Sequence, residues 1–431
     1  MLFFNDMRDV QVNIESMAYK GYGVGRTNGK VIFVPYSFKG ETVRVEIIEE
    51  KKNYSVGRLK EMIEPSPWRK EPPCPYFGVC GGCQWQHIDY TLHGELKQEM
   101  LQDILRRLGG LNDIPPVHVI PSLQPYGYRA RVQLKVKGKT LGYYRERSHE
   151  IIDIDHCSIS HSLINVLIRL LREESSFFTR MEEIEINVSP EEGKGILVLH
   201  PLSSLSEWKK FGEKFFQIHP ALKGIALVDK RGMKVAGDPF LHFTILVDRH
   251  GKENPLRFQA SPLSFFQIHP EQNRRLIETV LEFSEVKKDE RVLDLYTGIG
   301  NLALPLAMEA QEVVGIEENP LAIQDARLNA EKNGIKNSVF LRGRVREMLK
   351  DWKKERPDLI VIDPPRTGCK EVIEGIAGLK PTKIVYPSCE PTTLARDLRL
   401  FSEKGYHLSR LSLIDMFPQS YRMEVVALIK P

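Results

Sequence analysis

A single cysteine, Cys389, sits in the stretch Lys383–Arg399 (KIVYPSCEPTTLARDLR), between the apolar run Ile384–Tyr386 and Pro391. Proline suits the first position of a helix, because its missing N–H would be unpaired there. The Leu, Ala, Leu spacing that follows predicts the helix itself. A thiol just ahead of a helix N-terminus feels a partial positive charge that favours the thiolate, the nucleophilic form. The competing reading is plain packing, since a free cysteine behaves mostly as a small apolar side chain. Its surroundings decide between the two.

Those surroundings hold a nucleoside site. RVLDLY (291–296) is predicted as a buried strand, TGIGN (297–301) as a Gly-rich turn opening a helix, and VVGIEEN (313–319) as a strand ending in Glu317. A G-x-G turn followed by an acid at the end of the next strand binds a nucleoside, the acid accepting from the ribose hydroxyls. NLALP follows Gly300, so the third glycine of a dinucleotide fingerprint is absent, and no lysine follows for a phosphate loop. With Asp294 near the end of strand one, the pattern fits S-adenosylmethionine better than NAD. The D-P-P of LIVIDPP (359–365) sets Asp363 toward the cofactor's methionine end and the reacting base. Methyltransferases of exocyclic amines place an aromatic ring after D-P-P to stack the base; here the residue is Arg366, which argues for a carbon target.

Carbon 5 of a pyrimidine becomes nucleophilic only when another group adds at carbon 6, which a thiolate does by covalent catalysis. A base must then remove the proton from carbon 5. Cys389 suits the first role, and Glu424, in FPQSYRMEVVALI, is the candidate for the second.

A second group of sulfurs, Cys74, Cys80 and Cys83 in CPYFGVCGGCQWQH, is joined at a distance by Cys157 in DIDHCSI. Four thiolates satisfy either tetrahedral zinc or a 4Fe–4S cluster. The C-x5-C-x2-C spacing departs from the paired C-x2-C of zinc ribbons and favours the cluster. His87 and His156 stand as substitute ligands.

The elements that must carry these groups follow from the chain in order. Residues 1–62 read as short strands broken by glycine, with Thr27-Asn28-Gly29-Lys30 as a type I′ hairpin turn, and suggest a small OB-like barrel. A proline-rich linker (Pro65-Ser66-Pro67, Pro72-Pro73) closes it. Residues 90–109 show helical periodicity, with Leu92, Leu96, Met100, Ile104 and Leu108 on one stripe. Residues 125–260 read as α+β, with a helix at Ser162–Glu174. FFQIHP occurs at 215–220 and again at 265–270, and the second copy, just before the nucleoside pattern, is the functional candidate. From about 271 onward, strand–helix alternation predicts a doubly wound α/β sheet, with ligands at the carboxyl ends of the strands.

At 431 residues the chain allows two or three domains. Its 42% hydrophobic and 27% charged residues describe an ordinary soluble protein. A net charge of +4 does not itself demonstrate a polyanion partner. Between Arg129 and Arg147, however, seven Lys/Arg stand against one acid, Glu146, with Tyr128, Tyr143 and Tyr144 interleaved. Such a strip can neutralise phosphates and stack unpaired bases, or can be a solvated strand face. No apolar run approaches a membrane span, and MLFFNDMRD is too short and acidic for a signal peptide, so a cytoplasmic protein with no membrane partner is expected. Thiols there stay reduced, and the six cysteines should not form three disulfides.

DLYTGIGN, DPPRTGC, YPSCEPTTLARDL and the terminal M-E-V-V-A-L together resemble the RNA 5-methyluridine methyltransferase family, over nearly the whole chain. The first 62 residues resemble a TRAM domain, an RNA-binding barrel. The resemblance implies Cys389 as nucleophile and Glu424 as the proton-abstracting glutamate. It implies Gln267, Tyr296, Glu317 and Asp363 as cofactor contacts, and Cys74, Cys80, Cys83 and Cys157 as 4Fe–4S ligands serving folding or RNA contact. It implies three parts: a barrel (1–62), a central iron–sulfur and RNA-binding domain (63–262) whose helix 90–110 is free to pack on the catalytic domain, and a methyltransferase domain (263–431). The substrate would be a uridine in ribosomal or transfer RNA, extruded from its stack to reach the thiolate, and the enzyme a monomer.

The chain departs from that family's usual residues at Thr297 (often Cys), at His269 and Glu390 (often Asn) and at Arg422 (often His). Glu390 sets a carboxylate beside Cys389, which raises the thiol's pKa unless it points away. Arg422 is placed to lower the glutamate's pKa or to hold a phosphate. Cys369 is a rival nucleophile, because some RNA 5-methylcytosine enzymes carry a cysteine shortly after the corresponding aspartate. Cytosine methylation, or an inactive RNA-binding iron–sulfur protein, are the alternatives.

Overall fold

A computed structural model of the chain describes residues 9–174, 178–203, 219–249 and 251–431, with Trp208, Lys210, Gly212, Glu213 and Phe216 between them. The first eight residues of the expected barrel, and part of the first FFQIHP, lie outside the described residues.

Five strands, β1 (Asp9–Ala18), β2 (Tyr22–Thr27), β3 (Lys30–Val34), β4 (Thr42–Glu50) and β5 (Tyr54–Glu64), close a barrel in the order β1-β2-β3-β5-β4. Asn28 and Gly29 carry positive φ angles (49° and 76°) between paired Thr27 and Lys30, the geometry a type I′ turn requires. Alternate apolar residues (Val12, Ile14, Ile32, Val34, Val43, Val45) fill the barrel's interior.

Helix α1 (His93–Arg107) follows, then β6 (Val117–Ile120). Leu96, Met100 and Ile104 are buried as the stripe predicts, but Leu108 is the C-cap and is 49% exposed. The chain turns at Gly109 and Gly110 before another helical turn can carry Leu108 onto the buried face. A sheet follows, built from β7 (Arg131–Lys137), β8 (Thr140–Tyr144), β9 (Ile151–Asp153), β10 (Met181–Ser189), β11 (Lys194–Pro201), β12 (Leu222–Asp229) and β13 (Gly232–Gly237), ordered β13-β12-β11-β10-β7-β8-β9. Helix α2 (Ser162–Glu173) lays Ile164, Leu167, Ile168 and Leu171 against it. A hairpin of β14 (Leu241–Arg249) and β15 (Lys252–Ala260) leads out.

The catalytic layer holds α3 (Pro270–Ser284), β16 (Arg291–Leu295), α4 (Ala303–Ala307), β17 (Glu312–Glu317), α5 (Pro320–Lys332), β18 (Ser338–Arg342) and α6 (Val345–Lys350). It continues with β19 (Leu359–Ile362), α7 (Ile373–Gly378), β20 (Lys383–Ser388), α8 (Pro391–Ser402), β21 (His407–Ile414) and β22 (Glu424–Lys430). The strand order is β18-β17-β16-β19-β20-β22-β21-β6. Successive strand residues point to opposite faces. Val292, Val313, Val361, Val385 and Val426 pack with α3 to α5, while Leu293, Val314, Ile360, Ile384 and Val425 pack with α1, α7 and α8. Helices on both faces make this a doubly wound sheet, with β22 inserted antiparallel between β20 and β21. Helix α1 packs on α8, and β6 extends the same sheet by pairing parallel to β21. Among the described residues no helix is long and apolar enough to cross a membrane.

Candidate active site

The carboxyl ends of β17, β16, β19 and β20 lie side by side and deliver Glu317, Tyr296–Gly300, Asp363 and Cys389 to one edge. Because β22 runs the other way, its first residue, Glu424, reaches the same edge.

At the glycine turn, Gly298 (φ 55°) donates its N–H to Glu317 Oε2 at 3.2 Å, and Asn319 donates to Oε1 at 2.8 Å. A Cβ added at Gly298 would meet only open space, whereas one at Gly300 (φ 86°) would press on Leu304. An open backbone cradle beside a fixed carboxylate is the shape a ribose needs. Tyr296 has φ 63° and is half-buried, its hydroxyl pushed up to about 12 by burial. Thr297 donates its hydroxyl to the buried Asp294, which burial raises to about 7. Gln267 is half-buried in the extended stretch before α3. His269 caps α3, stacks on Tyr128 (ring centroids 4.6 Å apart) and shares a 2.8 Å hydrogen bond with Ser122. It is a structural residue.

Cys389 is half-buried, and its thiol is pushed up to about 12, first by burial, then by the charges of Glu424 and Asp363. This corrects the sequence expectation of a thiol lowered by the helix start. Glu390, not Cys389, is the N-cap of α8, and burial is the largest influence on the thiol. The opposing influence comes from Arg366, whose guanidinium charge lowers the thiol's pKa. Sequence reasoning used Arg366 only to choose a carbon target; its turn back toward β20 follows D-P-P and is not legible in the motif. Glu424 is buried and its carboxyl raised well above the usual range, by burial and then by Asp363. Asp363 is itself raised to about 7 by burial. Arg422 stands over the Tyr421 ring, 5.5 Å from its centroid, and lines the cleft.

The rival Cys369 is buried at 1% exposure in the core between Tyr386 and Asp397, its thiol far above the ordinary value because of burial. Its backbone N–H donates to Asp397 at 2.7 Å. It is a packing residue.

A cleft of about 660 Å³ opens where the catalytic layer, the barrel and the central sheet meet, and it reaches the Cys389 neighbourhood through Arg366. Arg366, Tyr421 and Arg422 line it from the catalytic layer, Lys20 and Tyr22 from the barrel, and Arg129, Arg145 and Arg147 from the central sheet. The basic strip thus divides. Arg131 and Lys135 pair with Glu185 and Glu183, while Arg129, Arg145 and Arg147 face the cleft.

Cys74, Cys80, Cys83 and Cys157 line the same cleft, all as free thiols. They are near enough that Cys80 and Cys83 are each raised by neighbouring sulfurs after burial, Cys80 to about 11. Among the described residues, no group of three or more His, Cys, Asp or Glu is drawn together tightly enough to hold a metal ion. His87 is buried apart from these sulfurs, against Phe38 and Phe77, and His156 is paired to Asp155. His156 lines the cleft together with the four cysteines.

Residues 89–431 match the tRNA (uracil-5-)-methyltransferase family, and residues 7–60 match the TRAM domain. An RNA methyltransferase of uncharacterised specificity from Halalkalibacterium halodurans is 35% identical, with 98% of this chain and 96% of that protein covered. One from Aquifex aeolicus is 34% identical over 98% of this chain and 99% of that protein. The crystal structure of Pyrococcus abyssi tRNA (uracil-54, C5)-methyltransferase with S-adenosyl-L-homocysteine superposes with TM-score 0.76 at 24% identity, covering 97% of this chain and 100% of that one. A closed barrel and a doubly wound class I layer are therefore the parts of one family. The chain belongs to the tRNA (uracil-5-)-methyltransferase family and is an S-adenosylmethionine-dependent RNA (uracil-5-)-methyltransferase.

Proposed function

We propose that the protein methylates carbon 5 of a uridine in structured RNA through a covalent bond between Cys389 and carbon 6. The observation that carries this is the meeting of Cys389, Arg366, Asp363 and Glu424 at the strand edge that also holds the glycine cradle. Arg366 offsets the cost of the buried sulfur anion. As the Sγ–C6 bond forms, the C5=C6 electron pair moves onto O4, and the thiol proton leaves to solvent. S-adenosylmethionine, held by Glu317 and Asp363, would supply an electrophilic methyl group: the enolate's electron pair, returning through carbon 5, takes the methyl as its bond to the sulfonium breaks and the neutral thioether departs. Glu424 in its ionised form takes the carbon 5 proton, the C5=C6 bond re-forms and Sγ leaves as thiolate. Burial of Glu424 excludes the water that would compete for this proton.

The cleft's basic side chains and the barrel support a structured RNA as substrate. The four cysteines, chemically suited to iron, are proposed as ligands of a 4Fe–4S cluster holding the cleft wall; their shared cleft supports this. A monomer in the cytoplasm fits a site completed by one chain. Digesting product RNA made with labelled cofactor tests the reaction: 5-methyluridine is expected, and 5-methylcytidine would overturn the uridine assignment. Glu424→Gln should stop after methyl transfer with RNA still attached; free methylated RNA at the wild-type rate would remove Glu424 from the mechanism.

A further inference from the structure

The residue next to the nucleophile is a carboxylate, and the barrel holds it. Glu390 Oε1 accepts from the Tyr19 hydroxyl at 2.6 Å and from the Thr392 hydroxyl at 2.6 Å, and it caps α8 through the Thr392 N–H at 3.4 Å. Thus Glu390, adjacent in sequence to Cys389, is turned toward the barrel and its own helix. The groups that bear on the Cys389 sulfur come from other elements: Glu424 from the start of β22, and Asp363 and Arg366 from the segment after β19. The Tyr19 hydroxyl that meets Glu390 is itself acted on by Tyr421 and Arg422.

The barrel tip that delivers Tyr19 is firmly seated. Its ring meets Tyr421 edge-on at 5.2 Å. At Gly21 (φ 80°) a Cβ would come within 2.8 Å of Trp85 Nε1. Trp85, fully buried, donates its indole N–H to Gly21 O at 3.3 Å. Gln84 and Trp85 in turn hang by their N–H groups from Gln419 O, each at 3.1 Å, on the loop leading to Glu424. Burial and Glu390 raise the Tyr19 hydroxyl far above its ordinary value, so it remains a donor.

We propose that Tyr19 is a positioning residue, whose hydroxyl holds the Glu390 carboxylate away from the Cys389 sulfur so that the thiolate forms without a third negative charge turned on it. The barrel thereby serves catalysis as well as RNA contact. This rests on Cys389 as nucleophile, but the test reads the thiol directly. The rate at which iodoacetamide alkylates Cys389 in the full chain, followed by mass spectrometry of its peptide across a pH series, reports thiolate formation. Tyr19→Phe keeps the ring contact with Tyr421 and removes the barrel's hold on Glu390, leaving only the Thr392 contacts. At a fixed pH it should slow alkylation by about tenfold, one pKa unit. Combining it with Glu390→Gln should return the wild-type rate. Glu390→Gln alone should leave the rate unchanged, because the carboxylate is already held away. Superposable Tyr19→Phe and wild-type profiles overturn the proposal, as does slow alkylation persisting in the double variant. A several-fold faster rate in Glu390→Gln alone would also overturn it. Should the alkylation pattern hold while wild-type enzyme forms no adduct with RNA, the role of Cys389 fails and the latch stands.

Discussion

Ser388 pairs with Val425 across antiparallel β20 and β22, so the next rung of that ladder sets Cys389 against Glu424. The proposed nucleophile and the proposed base thus each lie one residue from a paired rung, which limits their drift relative to each other.

Arg366 lowers the Cys389 thiol, against burial, Glu424 and Asp363. Arg366→Gln should therefore raise the thiol further. In wild type the nucleophile is protonated at neutral pH, and Glu424 and Asp363 are also raised, so the rate should climb as pH rises through neutrality. In the variant that climb should move to higher pH. At any fixed pH on the slope, activity should fall about tenfold for each pH unit by which the climb is displaced. The pH profile of single-turnover methylation measures this.

The Glu317 carboxylate holds the glycine turn by two N–H bonds, from Gly298 and Asn319. Glu317→Ala should weaken S-adenosylmethionine binding roughly tenfold to a hundredfold, the range for hydrogen bonds to a charged group of about 1.5–3 kcal/mol. Calorimetric titration checks it, with the RNA affinity expected to hold.

Much of this arrangement is legible in the sequence, and the limits are physical. The cradle follows from local pattern, because a glycine turn and an acid sit at the ends of consecutive, hydrogen-bonded strands. The barrel follows from glycine-punctuated alternation and one Asn-Gly turn. The Cys389–Glu424 register does not, since it depends on β22 passing between β20 and β21. Likewise β6, four residues long, joins the catalytic sheet through tertiary packing that no periodicity announces. The thiol pKa misled because the helix dipole is visible in sequence while burial beside two carboxylates is not. Tyr19 and Glu390 lie 371 residues apart, beyond any local pattern.

Lys97 and Asp415 form a fully buried pair at 2.6 Å that ties α1 to the end of β21, with Tyr90 donating to Asp415 at 2.9 Å. Removing one partner strands a buried charge. Lys97→Met should cost about 3–5 kcal/mol in denaturant unfolding. Lys97→Met with Asp415→Leu should recover part of that loss, provided Tyr90 is changed to Phe so that no hydroxyl is orphaned.

Cys80 shares the cleft wall with Cys74, Cys83 and Cys157. Anaerobically purified wild type should be brown, and Cys80→Ala should lose that absorbance and iron, with a lower unfolding midpoint for the central sheet. Full colour in the variant would exclude Cys80 from the ligand set.

The most direct measurement mixes the enzyme and S-adenosylmethionine with RNA carrying 5-fluorouridine, where fluorine cannot leave as a proton and the adduct is trapped. A denaturation-stable complex whose RNA-linked peptide contains Cys389, and which disappears in Cys389→Ala, is the predicted result. No complex with an RNA the enzyme methylates, or a complex that survives Cys389→Ala, would contradict the covalent mechanism.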